Sequence, residues 1–345
     1  MIDVEVLDPR VDPEPADWAA FREAEQLPVP WDYGLLRIES QGSPSPNLLT
    51  VVRQGGELVG AVMSMLCRPS GSKRPGPVGG VAKLGPRWLE VQLLWLSGYP
   101  AWAFAERLDA LARKEVLRAF ERAACRYTGL GCLGVVYRVV TPETVPLVSG
   151  RGRKVVEAVP TMVLRNNFGS LDDWYASLTR SRRSSIRGQV KKVAADPGVV
   201  VRGEFARDDL DAGELAGLLL AHRARLGTVK FDSRGPVTAA YLDALVRRPD
   251  VLTTTYHDDS GRLLAFTTLL DHPVIPLHQH WAARPVDEGR PKHLYFDVNV
   301  RLIRHMIEGN RKSLSLGRGL GEVKSSLGFE PRPLRAVVVP RPVAG

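Results

Sequence analysis

Leu48 to Leu66 reads LLTVVRQGGELVGAVMSML, and Leu252 to Leu270 reads LTTTYHDDSGRLLAFTTLL. In each, an apolar run is interrupted by a glycine-containing turn and resumed by a second apolar run, the pattern of a β-hairpin with buried strands. Each hairpin is followed later by an amphipathic helix and a further apolar strand. These are Val116 to Tyr127 then Gly131 to Val140 in the first case, and Val298 to Glu308 then Leu314 to Gly317 in the second. The recurrence implies an α/β unit with a mixed sheet used twice. We divide the chain into an N-terminal domain, residues 1–167, and a C-terminal domain, residues 168–345.

Length agrees, since 345 residues exceed what a single hydrophobic core usually serves. With 44% hydrophobic and 25% charged residues the composition is globular, and the net charge of +9 leans toward a polyanionic partner without deciding it. Cys67, Cys125 and Cys132 form no C-x-x-C pair, so neither a disulfide framework nor a metal site is expected. The N-terminus is acidic and proline-rich, and no apolar run approaches the ~18 residues of a membrane span. These features suggest a soluble cytoplasmic protein.

Along the chain, we expect a strand and turn up to about Pro15, an acidic helix at Ala16 to Gln26, and a loop from Gln41 to Asn47. A glycine- and proline-rich loop or lid follows at Arg68 to Gly85, then a buried strand at Trp88 to Leu96. One long helix is expected from Trp102 to Tyr127, ended by Gly129 and Gly131, and a closing strand of the first unit at Ala158 to Arg165. In the second half, Glu214 to Leu226 and Thr238 to Arg247 read as helices, with His222 a packed or surface histidine. Asp232, between them, is a candidate to orient a substrate amine, with an N-cap or turn role equally open.

The most unusual local feature is basic. From Ala176 to Ala195 there are six cations and no acid, while Trp174, Leu178, Ile186, Val190 and Val193 mark an apolar stripe. Arg180, Arg183, Arg187 and Lys191 are spaced by three or four and share a helical face. Like charges so placed repel one another, and a phosphate-bearing ligand would relieve that repulsion. A solvated surface helix is the alternative.

The C-terminal region supplies the sharpest signal: hairpin, strand Pro276 to Ala282, basic turn Gly289-Arg290-Pro291-Lys292-His293, helix Leu294 to Glu308, strand Leu314 to Leu316. The pattern G-x-G-E-x-K-x-x-x-G-F-x-P follows from Gly319 to Pro331. With His280-Trp281 and the helix opening His293-Leu294-Tyr295-Phe296, this resembles the GNAT acyltransferases, in their tandem FemAB-like, peptidoglycan-recognition-like branch. The resemblance implies two parallel strands that part to admit an acyl carbonyl, beside a helix N-terminus that receives the donor's phosphates. Coenzyme A users carry a Q/R-x-x-G-x-G/A turn there. Here Pro291 removes an amide and the glycines are missing, while Arg290 and Lys292 remain, which suits the aminoacyl-tRNA donor of FemAB-like proteins.

On that resemblance Lys324 is expected to stabilise the oxyanion or contact the acceptor, with Arg318 and Glu322 beside the acceptor's charged groups. His278 and His280 are expected on one strand face, His280 accepting the amine proton. Trp281 and Tyr295 are expected to pack the core or line the substrate, and Arg180, Arg183, Arg187, Lys191, Arg290 and Lys292 to hold tRNA. The expected activity is transfer of an amino acid from tRNA to an amine of a specialised metabolite or wall precursor, with aminoacyl-tRNA as co-substrate and no resident cofactor. An acyl-CoA-dependent N-acyltransferase and a non-catalytic nucleic-acid-binding double-GNAT protein are the alternatives.

Overall fold

Two glycines at the tip of the first hairpin explain how tightly it turns. Gln54 pairs with Glu57 across Gly55 and Gly56, whose φ values of 62° and 89° belong to the two-residue turn that matches the natural twist of paired strands. The computed structural model describes residues 2–43, 45–69, 85–93, 98–226 and 237–345. Most of the expected loop at Arg68 to Gly85, the end of the expected strand at Trp88 to Leu96, and Asp232 lie outside the described residues.

The chain divides into two compact units. The first takes Met1–Val159 and Pro333–Gly345, and the second takes the described residues between Pro160 and Arg332. In the first are β1 (Ile2–Leu7), α1 (Trp18–Ala24), α2 (Tyr33–Gly42), β2 (Asn47–Gln54), β3 (Glu57–Cys67), β4 (Arg87–Val91), β5 (Trp102–Phe104), α3 (Ala110–Thr128), β6 (Cys132–Val140) and α4 (Val145–Val148). Strand β7 (Lys154–Arg165) leads into the second. There follow α5 (Leu171–Ser177), α6 (Arg180–Ala194), β8 (Val200–Phe205), α7 (Ala212–Arg225), α8 (Ala239–Val246), β9 (Val251–His257), β10 (Leu263–Leu270), β11 (Leu277–Ala283), α9 (Leu294–Glu308), β12 (Ser313–Ser315) and α10 (Gly321–Ser325). Finally β13 (Glu330–Pro340) returns to the first unit and pairs antiparallel with β6.

The strand order is β1-β2-β3-β4-β6-β13 in the first unit and β7-β12-β11-β10-β9-β8 in the second. Both expected hairpins are present, as β2–β3 and β9–β10. Strands β3 and β10 are buried along almost their whole length, β10 between α7 and α9, so their sequences read as nearly continuous apolar runs. In the second unit α5, α6 and α9 share one face, where Trp174, Ile186, Val193, Leu294, Val298 and Leu302 form a core with Ala265 and Leu269 of β10. Helices α7 and α8 pack on the other face.

Two expected helices differ. The run from Trp102 to Tyr127 is not one helix: Trp102–Phe104 is β5, paired with Gly60, Ala61 and Val62 of β3, and α3 begins only at Ala110. The Asp109 side chain accepts the Ala112 amide at 2.8 Å there, a helix start signal. The basic segment is also broken, because Thr179 caps the Arg182 amide and starts α6 separately from α5. The returning tail is fixed by a buried ion pair. Arg153 donates to both carboxylate oxygens of Glu121 at 2.7 and 2.6 Å and also to the Val343 carbonyl.

Candidate functional site

In the second unit, neighbouring parallel strands touch at one point and then part. Strands β11 and β12 share a single register pair, Leu277 with Ser315, at the beginning of one and the end of the other. Beyond it β11 continues to Ala283 without a further pair to β12, while Leu316 and Gly317 stay bonded to Met162 of β7 ahead of a loop in which Gly317 and Gly319 have positive φ. In the first unit the corresponding strands β4 and β6 stay paired from Arg87 and Cys132 to Val91 and Tyr137. There the Trp102 ring stands edge-on to Tyr137 at 5.4 Å. Among the described residues the parallel pairing is longer in the first unit than in the second.

Lys324 holds the loop where the strands separate. It is 4% exposed, and its ammonium donates to the carbonyls of Leu316 at 2.6 Å, Arg318 at 3.2 Å and Gly317 at 3.4 Å. An ammonium has three N–H donors, so all are engaged by backbone, and a direct contact with an oxyanion requires one to be released. Burial pulls its pKa down to about 8. Its charge also reaches His278 on β11. Burial first, and then Lys324, hold that imidazole at about 3, so it is neutral at physiological pH. Nε2 of His278 lies 2.7 Å from the Thr267 hydroxyl and 3.1 Å from the His280 carbonyl. Since a carbonyl only accepts, Nε2 carries the proton.

The two histidines do not share a face. A bulge falls between Thr268 and Leu269 of β10, so His280 stands opposite Thr268 and His278 opposite Leu269. Successive residues of β10 point to opposite sides, and Gln279 is the extra residue of the bulge. His278 therefore lies on the side of α9. His280, 2% exposed, meets the ring of Tyr241 in α8 edge-on at 6.3 Å. The plain alternation expected from the sequence is corrected here, because a bulge shifts the period by one. Trp281 is half-buried on the α9 side, packed against the core and edge-on to Tyr295 at 5.7 Å.

Helix α9 starts without a side-chain cap, from His293 at φ 75°, and the amides of Leu294 and Tyr295 have no acceptor among the described residues. An uncapped helix start draws anions. Its surroundings are positive. Burial and then the charges of Lys192, Lys292 and Arg290 lower the His293 pKa. Lys192, on the flank of α6, is the cation that the face of 180, 183, 187 and 191 overlooked; its signal was the second of two adjacent lysines. Arg290 is turned inward, donating to the carbonyls of Arg284 and Pro291, while Lys292 is exposed.

The basic face itself divides. Arg187 pairs with Asp172 at 2.5 Å and lies over the Tyr175 ring, 4.6 Å from its centroid. Arg183 is half-buried, and Arg180 and Lys191 are exposed with no ion pair to a described residue. Arg318 is half-buried and Glu322 exposed at the start of α10. Among the described residues no cluster of three His, Cys, Asp or Glu side chains is placed to hold a metal. No helix among them is long and apolar enough to cross a membrane.

No family profile and no curated protein sequence matches the chain. Solved structures do share its architecture. The structure of L-PGS from Bacillus licheniformis has 14% identity, with 94% of this chain and 92% of that one covered and a TM-score of 0.61. FemX has 12% identity, with 86% and 89% covered and a TM-score of 0.55. A tandem GNAT protein from the clavulanic acid biosynthesis pathway has 14% identity, with 99% of each chain covered and a TM-score of 0.51.

Proposed function

Starting from a chain with the tandem GNAT fold, we propose that its second unit is an acyltransferase that takes an amino acid from aminoacyl-tRNA. The acceptor is an amine of a small molecule, a specialised metabolite or a wall precursor, and the product is an amide. The observation that carries this reading is the coincidence, within one unit, of the parted strands β11 and β12 with an uncapped helix start ringed by Lys192, Lys292 and His293. Similarity in fold to L-PGS and FemX supports the same donor class. A tRNA donor implies a cytoplasmic reaction.

The ester of an aminoacyl-tRNA is already activated, so positioning and charge stabilisation suffice. Phosphates of the tRNA lie along α6 against Arg180, Arg183, Lys191 and Lys192 and reach the start of α9. The exposed pair of Arg187 with Asp172 is weak enough for a phosphate to displace the carboxylate. The acyl carbonyl enters the gap beyond Leu277, with Trp281 and Tyr295 as its wall. The acceptor approaches from the other sheet face, where His280 takes the amine proton as nitrogen adds to the carbonyl carbon. The ribose oxygen then leaves with a proton. Lys324 positions residues 316–318 rather than reacting, and Arg318 and Glu322 meet the acceptor's charged groups.

The test is a side-by-side comparison of aminoacyl-tRNA and acetyl-CoA in binding and in transfer to a panel of amines, at low and high salt. Binding of tRNA that weakens steeply with salt, together with amide formation from it alone, is the expected result. Transfer from acetyl-CoA alone would replace the donor. Salt-sensitive binding with no product from any amine would leave a nucleic-acid-binding protein.

A further inference from the structure

The first unit carries a cavity of about 240 Å³ that the transfer chemistry does not use. Trp31, Tyr99, Trp102 and Phe104 contribute to its walls, and Glu25 is the one acidic or basic residue among the described residues that line it. At the ~30 Å³ that a water molecule occupies in the liquid, the space takes about eight heavy atoms. From this juxtaposition we propose that the cavity is a binding site for a small organic ammonium.

Aromatic faces are electron-rich and attract cations that come within about 6 Å of a ring centroid. One wall already does so: the Arg113 guanidinium lies over the Phe104 ring, 5.6 Å from its centroid. A carboxylate in the same cavity adds a full negative charge. Glu25 gives one oxygen to the Glu106 amide at 3.3 Å, and its other oxygen accepts no bond from a described residue. No lysine, arginine or histidine is among the described residues that line the cavity, so they offer an anion no partner. A neutral apolar ligand would leave the carboxylate facing hydrocarbon, which is unfavourable.

The walls are fixed before any ligand arrives. Trp31 and Trp102 are 2% and 7% exposed, the Trp31 carbonyl accepts the Trp18 indole, and Trp102 lies in β5 against Tyr137. A preformed site spends little binding energy on ordering side chains. All these residues belong to the first unit, so the proposal is independent of whether the second unit transfers an amino acid.

The experiment is a calorimetric titration of the full chain with n-pentylammonium and with 1-pentanol, which has the same number of heavy atoms. The ammonium is expected to saturate one site with a dissociation constant at least about tenfold below that of the alcohol. Glu25→Gln retains an oxygen for the Glu106 amide and should bind both ligands alike, with an unchanged melting temperature. Phe104→Leu, which keeps apolar bulk and loses the ring, should weaken the ammonium more than the alcohol. Equal binding of the two by the native protein, or full ammonium affinity in Glu25→Gln, overturns the proposal. So does the absence of a saturable site.

Discussion

Position 324 joins sequence, packing and chemistry most closely. A buried ammonium whose three donors all go to carbonyls at the point of strand separation shapes the gap without entering it. Lys324→Met leaves those carbonyls short of a partner, a loss of about 1–3 kcal/mol, and turnover should fall more than tRNA affinity. The pH dependence has a definite sign. With the folded pKa depressed from 10.5 to about 8, the unfolded chain holds more protons between those values, and native stability rises with pH across that window. Denaturant melts between pH 7.5 and 10.5 should show this rise in the native protein and a flatter curve in Lys324→Met. An unchanged slope would mean that Lys324 is not buried as described. The lysine was legible through its motif, but its donors were not, because glycine-rich loops give no sequence sign of which carbonyls converge.

Helix α9 was readable in full, from Leu294 to Glu308, because its apolar period is regular and its neighbours on both sides are strands. Helix α6 was readable as basic but not as separate from α5, since the Thr179 cap competes with an apolar stripe that runs through the break. The bulge in β10–β11 was invisible: adding one residue to one strand changes no local composition, yet it sends His278 and His280 to opposite faces. For α6 the expectation is specific to two cations. Reversing Arg180 and Lys192 to Glu together should weaken aminoacyl-tRNA binding at least tenfold and flatten the dependence of log K on log salt by about 0.7–0.9 for each phosphate no longer neutralised. Equilibrium binding at four or more salt concentrations measures both. Unaltered affinity and slope would remove α6 from the donor site.

At the scale of the whole chain, the two hairpins announced a repeated unit, and the repeat is real in strand order while its two copies differ in the length of their parallel pairing. In the first, β5 follows β4 along β3 and β4 pairs with β6 as far as Val91 and Tyr137; in the second β11 and β12 share a single pair. The return of β13 to the first unit left no trace in the sequence, because a strand's partner is chosen by tertiary packing and not by its own residues. The central claim is that the second unit alone receives the donor, and hydrogen–deuterium exchange with a non-hydrolysable aminoacyl-tRNA analogue tests it most directly. Amides of Arg180–Ala194, of the first turn of α9 and of β11 beyond Leu277 should slow on binding, with β4 and β6 unaffected. Slowing confined to the first unit, or the same footprint from coenzyme A alone, would contradict it.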